Sequence, residues 1–231
     1  MNKFFTLIAI STILHSNVTG QIKAGLQGGG TISEFITTNH FGDQSFFSYS
    51  TNPFASFSVG LSAEIVLRKR IALQSGISIV SKGSGLLTQN SFNMNYRNIQ
   101  VIYLQVPVNI VYKYYKGKEN SAFFGAGLYA GRGVWGAEAG NGFSFNGSSS
   151  KIGNKVIFSS ENPGQSLPTN IKPFDIGFNV LAGVTLHRFE ISAIFSRGFS
   201  NVLSNAELYN GNYKNTTVSF LLAYYITFKK Q

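Results

Sequence analysis

The chain contains no cysteine, which excludes disulfides, a lipid-modified lipoprotein terminus and thiolate metal sites. Charge is scarce as well: Asp, Glu, Lys and Arg make up only 12% of 231 residues, while aromatics reach 14% and glycines number 25. That balance fits a membrane barrel better than a cytosolic enzyme. Beyond the N-terminus there is no run of about 18 apolar residues, so no transmembrane helix is expected. Catalytic material is thin. The three histidines are His15, His40 and His187, and none stands with an acid and a serine in a recognisable triad pattern. No set of donors converges in sequence for a metal. Gly28-Gly29-Gly30 lacks the Lys-Ser/Thr of a phosphate loop and opens no helix. The expectation is a protein without enzymatic activity and without cofactors.

What is present is strict alternation, clearest at the C-terminus. In Asn215 to Phe228, Val218, Phe220, Leu222, Tyr224, Ile226 and Phe228 form one apolar face at a spacing of two. The other face carries mostly small or polar residues. Period two marks a strand, and this one is long enough for the roughly 9–11 residues that a tilted strand needs to cross a bilayer. The same pattern predicts seven further strands, over 21–33, 54–67, 71–82, 99–115, 121–134, 174–186 and 189–199, with the last at 215–228. Connections alternate long, short, long, as in barrels with tight periplasmic turns and long external loops. The predicted fold is all-β: an eight-stranded antiparallel up-and-down transmembrane barrel, one of the two architectures that satisfy every backbone group in hydrocarbon.

The apolar faces are assigned to lipid and the opposite faces to the barrel interior. Glu64, Gln74, Gln105, Asn109, Lys113, Asp175, Asn179 and Glu190 then point inward, and because an unpaired buried charge is costly they should form a polar, ion-paired network. Eight strands leave an interior just filled by side chains, so a plug is favoured over a water path. Tyr103, Tyr112, Tyr114, Trp135, Tyr224, Tyr225 and Phe228 are candidates for interfacial girdles, and Pro107, within the fourth strand, predicts a bulge or kink. His40 and Asp43, in an expected external loop, are the only residues a rim hydrolase could draw on, and a solvated loop accounts for them as well.

Met1-Asn2-Lys3, the apolar stretch Phe4–Leu14 and the small and polar residues to Gly20 read as a secretory signal. The expected organisation is therefore a signal peptide over 1–20 and a barrel domain over 21–231. The formal net charge is +10. Its densest groups, Arg68-Lys69-Arg70 and Lys113, Lys116 and Lys118, fall at or beside turns, where anionic head groups account for them better than nucleic acid does.

Tyr103-Leu104-Gln105-Val106-Pro107-Val108, followed after a charged turn by Phe123-Phe124-Gly125-Ala126-Gly127-Leu128-Tyr129, resembles the PorT-like, porin-family outer-membrane barrels of Bacteroidetes-type bacteria. Phe174-Asp175-Ile176-Gly177 and the C-terminal strand fit the same pattern. The resemblance implies an outer-membrane location and an eight-stranded barrel; it does not imply a conducting pore, and the secretion role of some members does not carry over to this chain. The partners to expect are outer-membrane lipid and envelope or secretion proteins, with the barrel itself monomeric and free of nucleic acid. The functional expectation is action through the external loops in binding, surface protection or envelope assembly. The alternatives are a narrow channel for ions or small solutes and a soluble lipocalin-like carrier, the latter requiring Ile102, Leu104, Val106 and Val108 to face inward.

Overall fold

A computed structural model describes residues 22–37, 48–89, 93–116, 120–144, 146–159, 170–203 and 212–228. The predicted signal segment, His40 and Asp43 lie outside the described residues. Strands dominate and no helix occurs among the described residues: β1 (Ile22–Thr37), β2 (Ser48–Arg68), β3 (Ile71–Gln89), β4 (Asn93–Lys116), β5 (Asn120–Ser144), β6 (Ser149–Lys155), β7 (Ile157–Phe158), β8 (Asn170–Ile171), β9 (Phe174–Leu186), β10 (Phe189–Gly198) and β11 (Tyr213–Phe228). Eight of them, β1 to β5 and β9 to β11, pair antiparallel with their neighbours, and β1 pairs with β11 to close the ring. Closure removes the unpaired edges that an open sheet would expose.

The register fixes the shape. Cross-strand partners followed once round run Ile22, Ile65, Leu73, Ile110, Ala126, Val180, Phe195, Val218 and back to β1 at Ile32, ten residues above the start. Ten residues at about 3.3 Å against eight interstrand steps of about 4.8 Å give a strand tilt of about 41°, so each residue adds about 2.5 Å of height. Every residue on that circuit faces outward. Leu104, Val106, Val108 and Ile110 are exposed on β4, as are Phe220, Leu222 and Ile226 on β11. Outward apolar residues fill a belt about 25 Å tall, from Ile22 to Ile32 on β1, which is the height of a membrane barrel's apolar band. A carrier with an apolar cavity would require the opposite facing.

Beyond the belt the wall is uneven. β9 and β10 stop near its edge, whereas β5 runs on from Arg132 to Ser144, about 30 Å higher at that tilt. Here the upper parts of β2, β3, β4 and β5, with β6 paired to β5, make a five-stranded sheet standing above the belt. The segments expected as loops over 83–98 and 135–173 therefore contain a long β3–β4 hairpin, the top of β5 and the strand β6. Alternation of oily and polar residues marks only strands with one greasy side, and above the belt that contrast vanishes.

Two further expectations are corrected. Pro107 causes no bulge: it pairs with Tyr129 in register, and on its other side the β3–β4 ladder skips two pairs without shifting. The ring nitrogen has no hydrogen to donate, and within the gap the Ser75 hydroxyl donates to the Pro107 carbonyl at 2.8 Å, which satisfies that acceptor. The bulge on β5 is at Val134, where Ile102 pairs with Trp135 but Tyr103 with Gly133. Tyr103 and Tyr225 join no girdle, because both are buried inside the barrel. Tyr112 and Tyr224 do lie on the outer wall at the turn end, and their hydroxyls accept hydrogen bonds from the turn residues Arg70 (2.9 Å) and Arg188 (3.3 Å).

Candidate functional site

The interior is a stack of layers. At the turn end, Lys113 on β4 pairs with Glu64 on β2, and Lys23 on β1 lies 3.7 Å from the same carboxylate. The Gln74 amide donates to Glu64 at 3.0 Å and to both oxygens of Glu190 at 3.4 Å, while the Thr185 hydroxyl donates to Glu190 at 3.3 Å. Two cations and two carboxylates thus gather round one amide. The face of the Phe123 ring lies 5.6 Å from the Lys113 ammonium, and Phe123 packs in an apolar cluster with Ala72, Val111 and Leu181.

In the middle, the Ser196 hydroxyl donates to Asn179, whose amide donates to Asn109 (2.8 and 3.1 Å). Gln105 is buried beside them, and its carbonyl oxygen has no protein partner. A cavity of about 60 Å³ lies between Gln27, Gln74, Gln105, Asn109 and Asn179. That holds a few waters at most.

Towards the mouth, Lys82 on β3 donates to Asp175 on β9 at 2.9 Å. The same carboxylate oxygen accepts from Asn215 at 2.8 Å and from the Tyr129 hydroxyl at 3.2 Å. The Lys82 ammonium also lies 4.4 Å from the ring centre of Tyr129 and 5.3 Å from that of Tyr103. The eight residues expected to share one network are all buried, but they are divided: Glu64, Gln74, Lys113 and Glu190 below, Gln105, Asn109 and Asn179 in the middle, Asp175 above. Lys82, Tyr129, Asn215 and Lys23 join these layers beside the eight expected residues. Of these, Lys82 is legible from parity alone, since it continues the inward series Gln74, Gly76, Ser78, Val80.

Above this pair the mouth is closed by apolar side chains. Phe35, Leu86, Ile99, Val101, Tyr103 and Tyr213 from the wall pack with Val156, Ile171, Val202 and Leu203 from the connections, and Phe158 lies against them. Backbone hydrogen bonds stitch the connections across the mouth: Lys172 N–H donates to the Val202 carbonyl, Val202 N–H to that of Tyr213 (both 2.8 Å), and Ser159 N–H to that of Ile171 (3.0 Å). The sequence pattern does not mark this seal: Ile99, Val101 and Tyr103 alternate on β4 like the rest of the wall, while Val156, Ile171, Val202 and Leu203 stand in connections without period. Among the described residues no serine, histidine and acid stand together as a triad, and no cluster of metal-binding side chains occurs.

A closed, tilted eight-stranded ring with lipid-facing apolar walls and an ion-paired interior defines a small transmembrane β-barrel. The chain belongs to the outer membrane protein beta-barrel domain family, whose model matches residues 15–204, and it is accordingly an outer-membrane protein. No curated protein matches it in sequence. Among solved structures it is similar to Ail, the attachment invasion locus protein of Yersinia pestis, at 11% identity, 88% of this chain, 98% of that one and a TM-score of 0.39. It is also similar to Neisserial surface protein A (12% identity, 87% and 96% covered, TM-score 0.38) and to OprG from Pseudomonas aeruginosa (9%, 90% and 96%, 0.38).

Proposed function

We propose that this protein is a sealed, non-catalytic barrel of the PorT-like type that works through the sheet raised above the membrane, binding or assembling with envelope partners. The observation that carries this reading is the closure of the lumen: an apolar seal at the mouth, a buried ion pair beneath it and a second charged layer at the periplasmic end, with a small polar cavity between. A conducting pore would need all three to open. The segments that resemble PorT-like proteins serve packing here. Tyr103, Gln105, Phe123 and Tyr129 all point into the lumen, and none meets a reactive group arranged for chemistry.

The raised sheet has the features of a contact surface. Met94 on β4 and Phe143 on β5 face each other in register on its outer side, and both are exposed well above the apolar belt, where no lipid covers them. Apolar side chains that meet in water form the kind of surface a partner covers when they belong to a contiguous patch, and Tyr96 on the same face of β4 extends this one. A photo-crosslinking residue at Phe143 in intact cells should trap a discrete envelope protein, whereas the same probe at Val180 should trap lipid. Failure of the Phe143 probe to give any protein adduct would refute the reading.

A further inference from the structure

On the outer wall, at the upper edge of the apolar belt, two cations stand together. Arg197 on β10 pairs in register with Thr216 on β11, and Lys214 lies two residues above Thr216 on the same face. Diagonal neighbours of this kind are about 7–8 Å apart, within the span of two long side chains. Neither cation has an ion-pair partner within 4.0 Å among the described residues. Between them the Thr216 hydroxyl is buried and has no hydrogen-bond partner. Arg132 on β5 faces the same way at a similar height. Across β1, β2 and β4 the corresponding outward positions carry Glu34, Ala55 and Ile102, with no cation, and on β3 Ser81 is fully buried. The positive charge is therefore confined to one sector.

We infer that Arg197, Thr216 and Lys214 bind the phosphate head group of an anionic lipid in the outer leaflet. At the edge of hydrocarbon a cation is tolerated at little cost, and two cations flanking an unpartnered hydroxyl supply charge-assisted donors to one phosphate. Phe195 and Val218, directly below on the same strands, face the acyl chains of the same lipid. Glu34 opposes Thr216 from β1, but its carboxylate accepts a hydrogen bond from Thr51 at 2.6 Å and forms no ion pair with either cation. Its charge weakens the site without filling it.

The test uses the full chain in phosphatidylcholine nanodiscs doped with lipid A, with lipid A retained per barrel as the readout. Wild type should retain lipid A saturably. Arg197→Gln combined with Lys214→Gln should lower the affinity about tenfold or more, and Glu34→Gln should raise it. Lys69→Gln, at the periplasmic turn, should leave it unchanged. Inorganic phosphate at millimolar concentration should fail to compete. Equal retention by the double variant, an equal loss in Lys69→Gln, or full displacement by inorganic phosphate would overturn the proposal.

Discussion

Lys82 and Asp175 meet at 2.9 Å across the lumen, from strands separated by two others in the wall, and their side chains are only 1% and 2% exposed. A contact of this kind joins opposite sides of the barrel independently of the hydrogen-bonded ladder. Asp175→Asn or Lys82→Met alone leaves a buried charge without its counterpart and should cost about 3–5 kcal/mol in reversible urea unfolding from lipid vesicles. The double variant should recover much of that loss. A double variant as unstable as the sum of the singles would show that the two charges are not coupled.

Gly177 and Gly183 on β9 stand opposite Tyr129 and Phe123 on β5. A Cβ at either position would come within 2.6 Å of the facing ring, and both are also close to a backbone carbonyl on β10. The rings occupy the space that the glycines leave. Gly177→Ala and Gly183→Ala should each destabilise by about 1–3 kcal/mol. Gly30→Ala, whose Cβ would meet nothing within 4 Å, should change stability by less than about 0.5 kcal/mol.

Leu222 and Phe143 are about equally exposed, at 52% and 54%, and differ in height. Leu222 lies in the middle of the apolar belt and Phe143 in the sheet above it. Leu222→Arg should cost about 2–4 kcal/mol, and Phe143→Arg should cost close to nothing. Because the natural chain has no cysteine, single cysteines can report the same contrast. A membrane-impermeant maleimide on intact cells should label a cysteine at Phe143 and leave one at Phe220 or Val180 unmodified. Rapid labelling at Phe220 would mean that this face is wet.

The seal makes its own prediction. Ile171→Asp with Leu203→Asp places two carboxylates in the apolar cluster, next to the bridge that joins these residues. Backbone hydrogen exchange should accelerate at Lys172, Val202 and Tyr213 and stay unchanged at Leu222. Unchanged exchange at Val202 would mean that the connections are held by something other than apolar packing.

Much of this was legible in the sequence, and the reason lies in the solvent. Lipid on one side and a packed polar interior on the other impose alternation, so β9 falls at its expected bounds, 174–186. Where water replaces lipid the contrast disappears, and Gly83 to Gln89 and Trp135 to Ser144 read as loops although both are strands. Inward-facing charges were readable from parity alone, but their grouping was not. That Asp175 meets Lys82 and not Lys113 depends on the ten-residue climb of the register, which no single strand encodes. Tyr103 and Tyr225 show the limit of composition: an aromatic near a strand end suits an interface, yet its parity on β4 or β11 sends it inward.

A shut lumen passes no ions. Planar-bilayer recording of the purified full-length protein tests it directly. Wild type should insert without discrete current steps, and so should Ile171→Asp with Leu203→Asp, because the Lys82–Asp175 pair and the Glu64–Lys113 layer still block the path. Reproducible single-channel steps from the wild-type barrel at modest voltage would contradict it.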